Sequence, residues 1–360
     1  MLRNSFHRIK NHWDWIAFLL LFSQFAHAQT VFTSSPTLSG TYDASYVYNI
    51  TTSGINLRAI FLTSGVLPNG LILIDNGDGT AQLSGNLAET GSFTIQLTVQ
   101  ETADISMQDV QNFTIAIAKA TASISLSNLN PTYDGTPKLV TATTIPPGLT
   151  VDITYDGGNT PPTNAGSYAI VATINELHYQ GTASGTLIIN KAPLLATADD
   201  QSRQYGQANP AFIITYLGFV SGDNVSSITV PTASTSATIL SNVGVYAIVL
   251  AGGSAPNYIL TLQSGTLAIK KAPLTAKADD QSRLYGAVDP TFTISYTGFL
   301  NGDNAALIIV PTATTTATVA SSVGAYAINL TGGTSTNYTL TLQSGTLTIN
   351  QAPLTAKADD

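Results

Sequence analysis

The chain contains no cysteine among its 360 residues. Its two tryptophans and three of its four histidines lie within the first 28 residues, so that the remainder has one histidine, His178, and no tryptophan. Without cysteine there is no disulfide framework, and each folded unit must be stabilised by its own core. Cys-His catalysis and cysteine-bound zinc are excluded, and paired-histidine zinc sites lack their ligands.

Charge is also scarce. Asp, Glu, Lys and Arg make up 9% of the residues, with 21 acidic and 13 basic side chains. Without the first 28 residues, 20 acidic and 10 basic side chains remain, and the net charge is about −10. An acidic chain without a basic patch is a poor ligand for nucleic acid or for an anionic membrane. The richness in Ile, Val, Thr and Tyr argues against a disordered chain.

The first 28 residues have the pattern of a secretory leader. Arg3, Arg8 and Lys10 are followed by an apolar run over Ile16–Phe22, and Ala26–Ala28 has the small-x-small pattern of a cleavage site. This pattern predicts a Sec signal peptide at residues 1–28. The apolar run is too short to cross about 30 Å of hydrocarbon. We therefore expect a secreted chain, extracellular or on the cell surface, with no membrane insertion after cleavage.

The rest of the chain is organised by a repeat. A shift of 80 residues aligns Pro193–Ala272 with Pro273–Ala352, and 49 of the 80 positions are identical without a gap. A diverged copy precedes these two, in which Asn164–Tyr168 corresponds to Asn242–Tyr246. The last residues repeat the opening of a copy, which predicts that the natural protein continues with a further repeat. The predicted segments are a signal peptide at 1–28, a β domain at 29–119, repeats at 120–191, 192–271 and 272–351, and a truncated repeat start at 352–360.

Short β-branched and aromatic runs predict an all-β fold, a tandem array of small Ig-like β-sandwich-type modules. Gln263–Gly265 is predicted to be a tight turn that joins the last two strands as a hairpin, and Asp223–Ile228 a single helical turn. Tyr168, Tyr246 and Tyr326 are predicted to be core residues with their hydroxyls at the rim. The predicted strands of the copy at 192–271 lie near 193–198, 211–217, 227–230, 233–239, 244–250, 257–262 and 265–270.

Two kinds of repeat resemble the MBG modules of large bacterial surface proteins. The copies at 192–271 and 272–351 resemble the type named for Tyr-Gly-x, and the copy at 120–191 resembles the Tyr-Asp-Gly type. The matching residues are Tyr205-Gly206-Gln207, Tyr285-Gly286-Ala287, Tyr133-Asp134-Gly135, Asn164–Tyr168 and Tyr179-x-Gly181. The resemblance implies β architecture, extracellular placement and a structural or adhesive role, and it transfers no catalytic residue.

Residues 29–119 are similar to immunoglobulin-like, cadherin-like domains. The similarity rests on Leu67–Leu71, Leu83–Gly85 and Gly91–Thr94. It implies a second kind of β domain in front of the repeats.

Three groups of polar residues are weighed as sites. His178 stands where the later copies have Asn257 and Asn337, which favours a turn or strand-start residue over a catalytic base. Asp75, Asn76 and Asp78 could offer oxygens to Ca²⁺, but the Asn-Gly and Asp-Gly pairs favour a hairpin turn.

The third group consists of aspartate pairs near the module starts. Asp199-Asp200, Asp279-Asp280 and Asp359-Asp360 could bind Ca²⁺. A solvated loop, or pairing with Arg203 and Arg283, is favoured instead.

From this sequence we expect a non-catalytic extracellular stalk or adhesin segment of a bacterial cell-surface protein. The alternatives are a glycan- or protein-binding module, and a spacer for an exported enzyme domain beyond residue 360. No catalytic, cofactor-binding or metal-binding residue is assigned, and no cofactor is expected. The expected partner is an unidentified surface or matrix ligand, either glycan or protein.

Overall fold

The computed structural model of the chain describes residues 29–220 and 222–357. Apart from two short 3-10 turns, the regular structure of these residues is β, which confirms the all-β prediction. The predicted signal peptide and the Asp359-Asp360 pair lie outside the described residues. The described residues divide into two compact units, the first made of residues 29–129, 138–162 and 167–187, the second of 130–137, 163–166 and the described residues from 188 to 357. We keep the predicted boundaries as names: the N-terminal domain (29–119), module 1 (120–191), module 2 (192–271) and module 3 (272–351).

The N-terminal domain is a sandwich of two four-stranded sheets, in the orders β1-β3-β6-β5 and β2-β8-β7-β4. Alternate residues of its long strands enter one core, among them Tyr46 and Tyr48 of β3 and Ile95 and Leu97 of β7. This period of two is the one expected of strands with one buried face. The strands are β1 (Val31–Phe32), β2 (Ser39–Thr41), β3 (Ser45–Ser53), β4 (Arg58–Gly65), β5 (Leu71–Asp75), β6 (Thr80–Asn86), β7 (Gly91–Glu101) and β8 (Gln108–Ala118).

Module 1 has shorter strands. They form the sheet β12-β13-β15 and the pairs β10-β11 and β14-β9. The strands are β9 (Ala120–Thr121), β10 (Ser123–Ser127), β11 (Thr141–Ile145), β12 (Val151–Tyr155), β13 (Gly166–Ile174), β14 (Tyr179–Gln180) and β15 (Thr182–Ile189).

Modules 2 and 3 share one topology, as their sequence identity predicts. Module 2 has the sheets β18-β16-β21 and β17-β22-β20-β19, and module 3 has β25-β23-β28 and β24-β29-β27-β26. The elements of module 2 are β16 (Ala192–Ala198), β17 (Gln201–Gln204), β18 (Ile214–Leu217), a 3-10 turn (Val225–Ser227), β19 (Thr232–Thr235), β20 (Gly244–Ala251), β21 (Tyr258–Gln263) and β22 (Gly265–Lys270). Those of module 3 are β23 (Ala272–Ala278), β24 (Gln281–Leu284), β25 (Ile294–Thr297), a 3-10 turn (Ala305–Leu307), β26 (Thr312–Thr315), β27 (Gly324–Thr331), β28 (Tyr338–Gln343) and β29 (Gly345–Asn350).

The predicted hairpin at Gln263–Gly265 is wrong. The strands β21 and β22 follow one another with only Ser264 between them, but they belong to different sheets. Each pairs in parallel with one of the first two strands of the module, β21 with β16 and β22 with β17. The chain therefore crosses between sheets without reversing. Gly265 permits the crossing because a Cβ at this position would lie 2.2 Å from the Ala198 carbonyl oxygen.

The secondary structure of module 2 differs from the prediction at two further places. The predicted strand at 227–230 is instead a 3-10 turn followed by a single bridge between Thr229 and Ser254. Asn224 caps this turn by accepting a hydrogen bond from the Ser226 N–H at 2.9 Å, which confirms the helical turn predicted at 223–228. The strand β17 was not predicted, because its sequence is polar and has no apolar alternation.

The tyrosines of β20 and β27 occupy the rim of their cores. Tyr246 and Tyr326 are half-buried, and each packs against the buried residues of its module. Their hydroxyls donate to the backbone oxygens of Asn242 and Ser322, both at 3.0 Å. Tyr168 of module 1 is half-buried as well. The prediction of a core position with the hydroxyl at the rim is confirmed for Tyr246 and Tyr326.

Candidate functional site: the repeated junction between modules

Modules 2 and 3 meet through two tyrosines and one aspartate. Tyr205, directly after β17, packs edge-on against Tyr338, the first residue of β28, with ring centroids 5.5 Å apart. Both hydroxyls donate to the same carboxylate oxygen of Asp303, Tyr205 at 3.0 Å and Tyr338 at 2.7 Å. Tyr205 and Tyr338 are only 4% and 2% exposed. The junction thus combines an apolar ring pair with charge-assisted hydrogen bonds, which are stronger than bonds between neutral groups.

The local structure of module 3 holds Asp303 in place. Asp303 precedes the cap of the 3-10 turn, and its N–H donates to the Leu300 carbonyl at 2.9 Å. The Leu300 N–H in turn donates to the Tyr338 hydroxyl at 2.9 Å. Phe299 packs edge-on against Tyr338 at 5.5 Å. The carboxylate and its tyrosine are therefore oriented before Tyr205 contributes.

An asparagine forms a second contact at the same junction. Asn337 accepts a hydrogen bond from the Val243 N–H at 3.0 Å through its side-chain oxygen. Its amide nitrogen donates to the Asn242 side chain at 2.9 Å. Its backbone oxygen accepts from the Ala272 N–H at 2.9 Å. One residue of module 3 therefore binds both the loop before β20 and the residue at the module boundary.

The same arrangement occurs one repeat earlier, between residues that all belong to the second compact unit. Tyr133 packs edge-on against Tyr258 at 5.5 Å and donates to Asp223 at 2.8 Å. The Tyr258 hydroxyl donates to the same oxygen of Asp223.

The asparagine contact is repeated there too. Asn257 accepts from the Ala165 N–H at 2.9 Å and donates to Asn164 at 3.1 Å. Its backbone oxygen accepts from the Ala192 N–H at 3.0 Å. The junction is thus reproduced atom for atom although modules 1 and 2 belong to different repeat types.

The electrostatics of the junction keep its tyrosines neutral. Burial, together with the hydrogen bonds to Asp223 and Asp303, raises the pKa of Tyr258 and of Tyr338 to about 12. The hydrogen bond from Tyr258 lowers the pKa of Asp223 below its ordinary value. Around neutral pH the junction of Tyr133, Asp223 and Tyr258 therefore holds a carboxylate between two phenols.

His178 belongs to a variant of this junction, between the N-terminal domain and module 1. Its ring stacks on Tyr42 with centroids 4.6 Å apart and an interplanar angle of 6°. Its Nδ1 lies 3.2 Å from the Thr90 hydroxyl, and its backbone oxygen accepts from the Ala120 N–H at 2.9 Å. The sequence predicted a turn or strand-start residue, and His178 does directly precede β14. Its stacking partner in another domain was not predicted.

The aspartate pairs at the module starts form contacts within their own modules. Asp199 accepts from the Thr215 hydroxyl at 2.9 Å, and Asp200 from the Thr266 N–H and hydroxyl, both at 2.7 Å. In module 3, Asp279 accepts from Thr293 and Ser295 and Asp280 from the Thr346 N–H.

The sequence favours two alternatives for these aspartates, a solvated loop or pairing with Arg203 and Arg283, but the arginines have other partners. Arg203 is buried and donates to Asn209 at 2.7 Å and to the Thr238 carbonyl at 2.5 Å. Arg283 forms an ion pair with Asp289 at 2.6 Å. Hydroxyl and N–H donors of neighbouring strands satisfy the aspartates instead, while the arginines point into their modules.

The loop around Asp75 is a hairpin turn, as favoured from the sequence. It joins the paired strands β5 and β6. Asp75 accepts from the Gly77 N–H at 3.2 Å, and Asp78 accepts from the Thr80 N–H at 2.9 Å. In residues 29–220 and 222–357, no group of three or more His, Cys, Asp or Glu side chains could hold a metal ion. Nor does any helix in these ranges have the length and apolarity needed to cross a membrane.

The junction residues were not predicted from the sequence, although a signal for them was present. Tyr205, Asp223 and Asn257 all recur unchanged 80 residues later. The repeat does not show that the tyrosine of one copy binds the aspartate of the next, because each copy also contains its own aspartate only 18 residues away.

Comparison with known proteins agrees with the repeat organisation. A model described as MBG domain matches residues 122–193, and one described as MBG domain (YGX type) matches residues 194–268 and 274–348. No curated protein matches the chain. An I-band fragment of titin aligns with a TM-score of 0.31 and 10% identity, covering 68% of this chain and 100% of the fragment. The titin domains z1z2 in complex with telethonin align with a TM-score of 0.30 and 16% identity, covering 46% of this chain and 98% of theirs.

Proposed function

The chain belongs to the MBG domain family, and we propose that it is an extracellular structural segment of a bacterial cell-surface protein, non-catalytic, in which specific junctions fix each module to the next. The observation that carries the proposal is the repetition of the Tyr-Asp-Tyr and Asn contacts at two successive boundaries. An array of modules that move independently needs no such contacts. A stalk or adhesin segment needs them, because the position of whatever it carries depends on the angle at each boundary.

The proposal gives His178 a structural role. A catalytic base needs a nucleophile within reach and a third group to orient it. The ring of His178 is stacked on Tyr42, and its position is filled by Asn257 and Asn337 at the other two junctions. The same position therefore forms a junction contact in each of the three repeats, whether it is histidine or asparagine. This supports a structural role.

Nuclear magnetic resonance relaxation of the chain tests the proposal. If the junctions are rigid, modules 2 and 3 tumble with one correlation time, and Asp303→Ala separates the two modules into faster tumbling bodies. The variant Asp289→Ala, which removes an aspartate inside module 3, is the control and leaves the coupling unchanged. Independent tumbling of modules 2 and 3 in the unmodified chain would contradict the proposal.

A second candidate function is binding by the N-terminal domain. Ile55 and Leu57 in the β3–β4 loop are 66% and 65% exposed, and Ile105 in the β7–β8 loop is 71% exposed. The Thr102 N–H donates to the Leu57 carbonyl at 2.9 Å, which joins the two loops. Glu101, the buried last residue of β7, fixes the β3–β4 loop by accepting hydrogen bonds from the Ile55 N–H and the Asn56 side-chain amide. Fixed, exposed aliphatic side chains are a feature of interaction sites.

Arrays of glycans and of matrix proteins test this second candidate. Binding that is lost in Leu57→Ser and kept in Ile72→Ser would support it, since Ile72 is exposed on β5 and lies outside both loops. Absence of binding on both arrays, or equal loss in the two variants, would leave the structural role alone.

A further inference from the structure

In modules 2 and 3 the two strands at the start of the module run parallel to the two strands at its end, with one such pair in each sheet. In module 2, Ala192–Thr197 pairs in parallel with Tyr258–Gln263, and Gln201–Gln204 pairs in parallel with Leu267–Lys270. Both stretches have the same register, because each residue pairs with the one 66 positions later. Module 3 repeats both ladders with the same offset.

The aspartate pairs bridge the gap at which these strands change sheets. Between the two ladders of module 2, Asp200 accepts hydrogen bonds from the Thr266 N–H and hydroxyl, both at 2.7 Å. In module 3, Asp280 accepts from the Thr346 N–H at 2.8 Å. The first and last strands are thus joined almost without interruption from one end of the module to the other.

Module 1 has much shorter ladders at the corresponding positions. Only Ala120–Thr121 pairs in parallel with Tyr179–Gln180, and the second ladder is reduced to a bridge between Thr132 and Asn190. Pro131 occupies the place of Arg203, and proline has no N–H to donate to a ladder. Module 1 therefore serves as a built-in comparison for modules 2 and 3.

Tension along the chain loads these ladders in shear. Force enters module 2 at the start of its first strand and leaves at the end of its last strand. In a parallel pair these two points lie at opposite ends. The strands must then slide past one another, and all the hydrogen bonds of both ladders share the load. If the two points lay at the same end, the bonds would instead break one at a time.

We propose that modules 2 and 3 are load-bearing elements whose first-to-last strand ladders resist tension, and that module 1 is the extensible element that yields first. This deepens the proposed structural function, on which it rests for the source of the load. It assigns Asp200 and Asp280 a mechanical role, because they carry load across the gap in each ladder.

Single-molecule force spectroscopy of residues 29–360 tests the proposal. The absence of native cysteine allows handles to be attached at cysteines introduced at the two ends. At 3.3–3.6 Å per extended residue, modules 2 and 3 each release roughly 260–290 Å of chain, and module 1 about 26–29 Å less. The N-terminal domain, residues 29–119, releases about 300–330 Å and gives the longest event. Unfolding events can therefore be assigned to modules by length. We expect the shortest event, that of module 1, to precede the two longer events of modules 2 and 3 as the force rises.

Two double variants separate the mechanical role from general stability. Asp200→Ala with Asp280→Ala removes the bridges and should lower the force of the two longer events. Asp199→Ala with Asp279→Ala removes hydrogen bonds to β18 and β25 and should leave that force unchanged. Thermal unfolding shows whether both variants remain folded, and the single variants Asp200→Ala and Asp280→Ala replace the alanine pair if it does not.

Events of modules 2 and 3 that come before the module 1 event, or that shift equally in the two double variants, would overturn the proposal. Either result would leave the junctions intact. Rigid coupling between modules 2 and 3 is measured separately by relaxation, so failure of the mechanical proposal is distinguishable from failure of the structural function.

Discussion

Tyr205 of module 2 donates its hydroxyl hydrogen to Asp303 of module 3 over an oxygen–oxygen distance of 3.0 Å, although the two residues are 98 positions apart in the sequence. The equivalent tyrosine of module 3, Tyr285, is 50% exposed, against 4% for Tyr205 and 6% for Tyr133. The repeat tyrosine is therefore buried in two modules and exposed in the third.

This difference provides a matched pair of substitutions. We predict that Tyr205→Phe lowers the free energy of unfolding by about 1.5–3 kcal/mol, the usual range for a hydrogen bond to a charged group. We predict that Tyr285→Phe changes it by less than about 0.5 kcal/mol, as for an ordinary surface substitution. Urea denaturation of the whole chain measures both, and equal effects would show that the Asp303 bond does not contribute.

Alkaline pH should weaken the junctions in a defined window. The pKa of Tyr258 and Tyr338 is raised to about 12 in the folded chain, against about 10 for an unfolded tyrosine. A raised pKa contributes stability that is complete below pH 10 and is lost as the pH rises through 12. Ultraviolet titration should show at least three tyrosines that ionise late, because burial also raises the pKa of Tyr46 to about 12. Tyr258→Phe should remove one of them.

Acidic pH should weaken the junction between modules 1 and 2 for the opposite reason. The pKa of Asp223 is lowered in the folded chain, chiefly by the hydrogen bond from Tyr258. A lowered pKa contributes stability that is present above about pH 4 and is lost as the pH falls through the folded value. We predict that Asp223→Asn flattens the acid limb of the stability curve, which thermal unfolding at pH 2–6 would show. An unchanged acid limb would contradict the role given to Asp223.

The buried arginines offer a second matched comparison, since Arg283 has the carboxylate of Asp289 where Arg203 has the amide oxygen of Asn209. We predict that Asp289→Asn costs about 1 kcal/mol, because an oxygen acceptor remains, and that Asp289→Ala costs about 2–3 kcal/mol, because the buried guanidinium loses an acceptor. Guanidinium denaturation of the two variants measures the difference. Equal costs would mean that the acceptor oxygen is not what stabilises Arg283.

The strand pattern of modules 2 and 3 could be predicted, but the connections between their sheets could not. Alternation places Tyr246 and Ile248 correctly on one face, since burial follows the period of two. The same signal cannot show that β22 continues β21 instead of folding back on it. That outcome depends on the close approach of Gly265 to Ala198, between residues distant in sequence.

The candidate site was hidden for a similar reason. Repetition marks Tyr205 and Asp303 as constant features of their copies, and burial of an aromatic ring could be expected. Which copy supplies the partner depends on how the modules pack. His178 was also incompletely predicted, because its replacement by asparagine in later copies favoured a turn or strand-start residue and gave no sign of its contact with Tyr42.

If the junction of Tyr205, Asp303 and Asn337 holds modules 2 and 3 at a fixed angle, the distance between two points on these modules has a single value. Because the chain has no cysteine, spin labels can be placed at two introduced cysteines, Ala247→Cys on β20 and Ala327→Cys on β27, both exposed positions away from the junction. Double electron–electron resonance then gives the distribution of distances between the labels. We predict one narrow distance that broadens when Tyr205→Phe and Asp303→Ala are combined. A broad distribution in the unmodified junction, or a narrow one that the combined variant leaves unchanged, would contradict it.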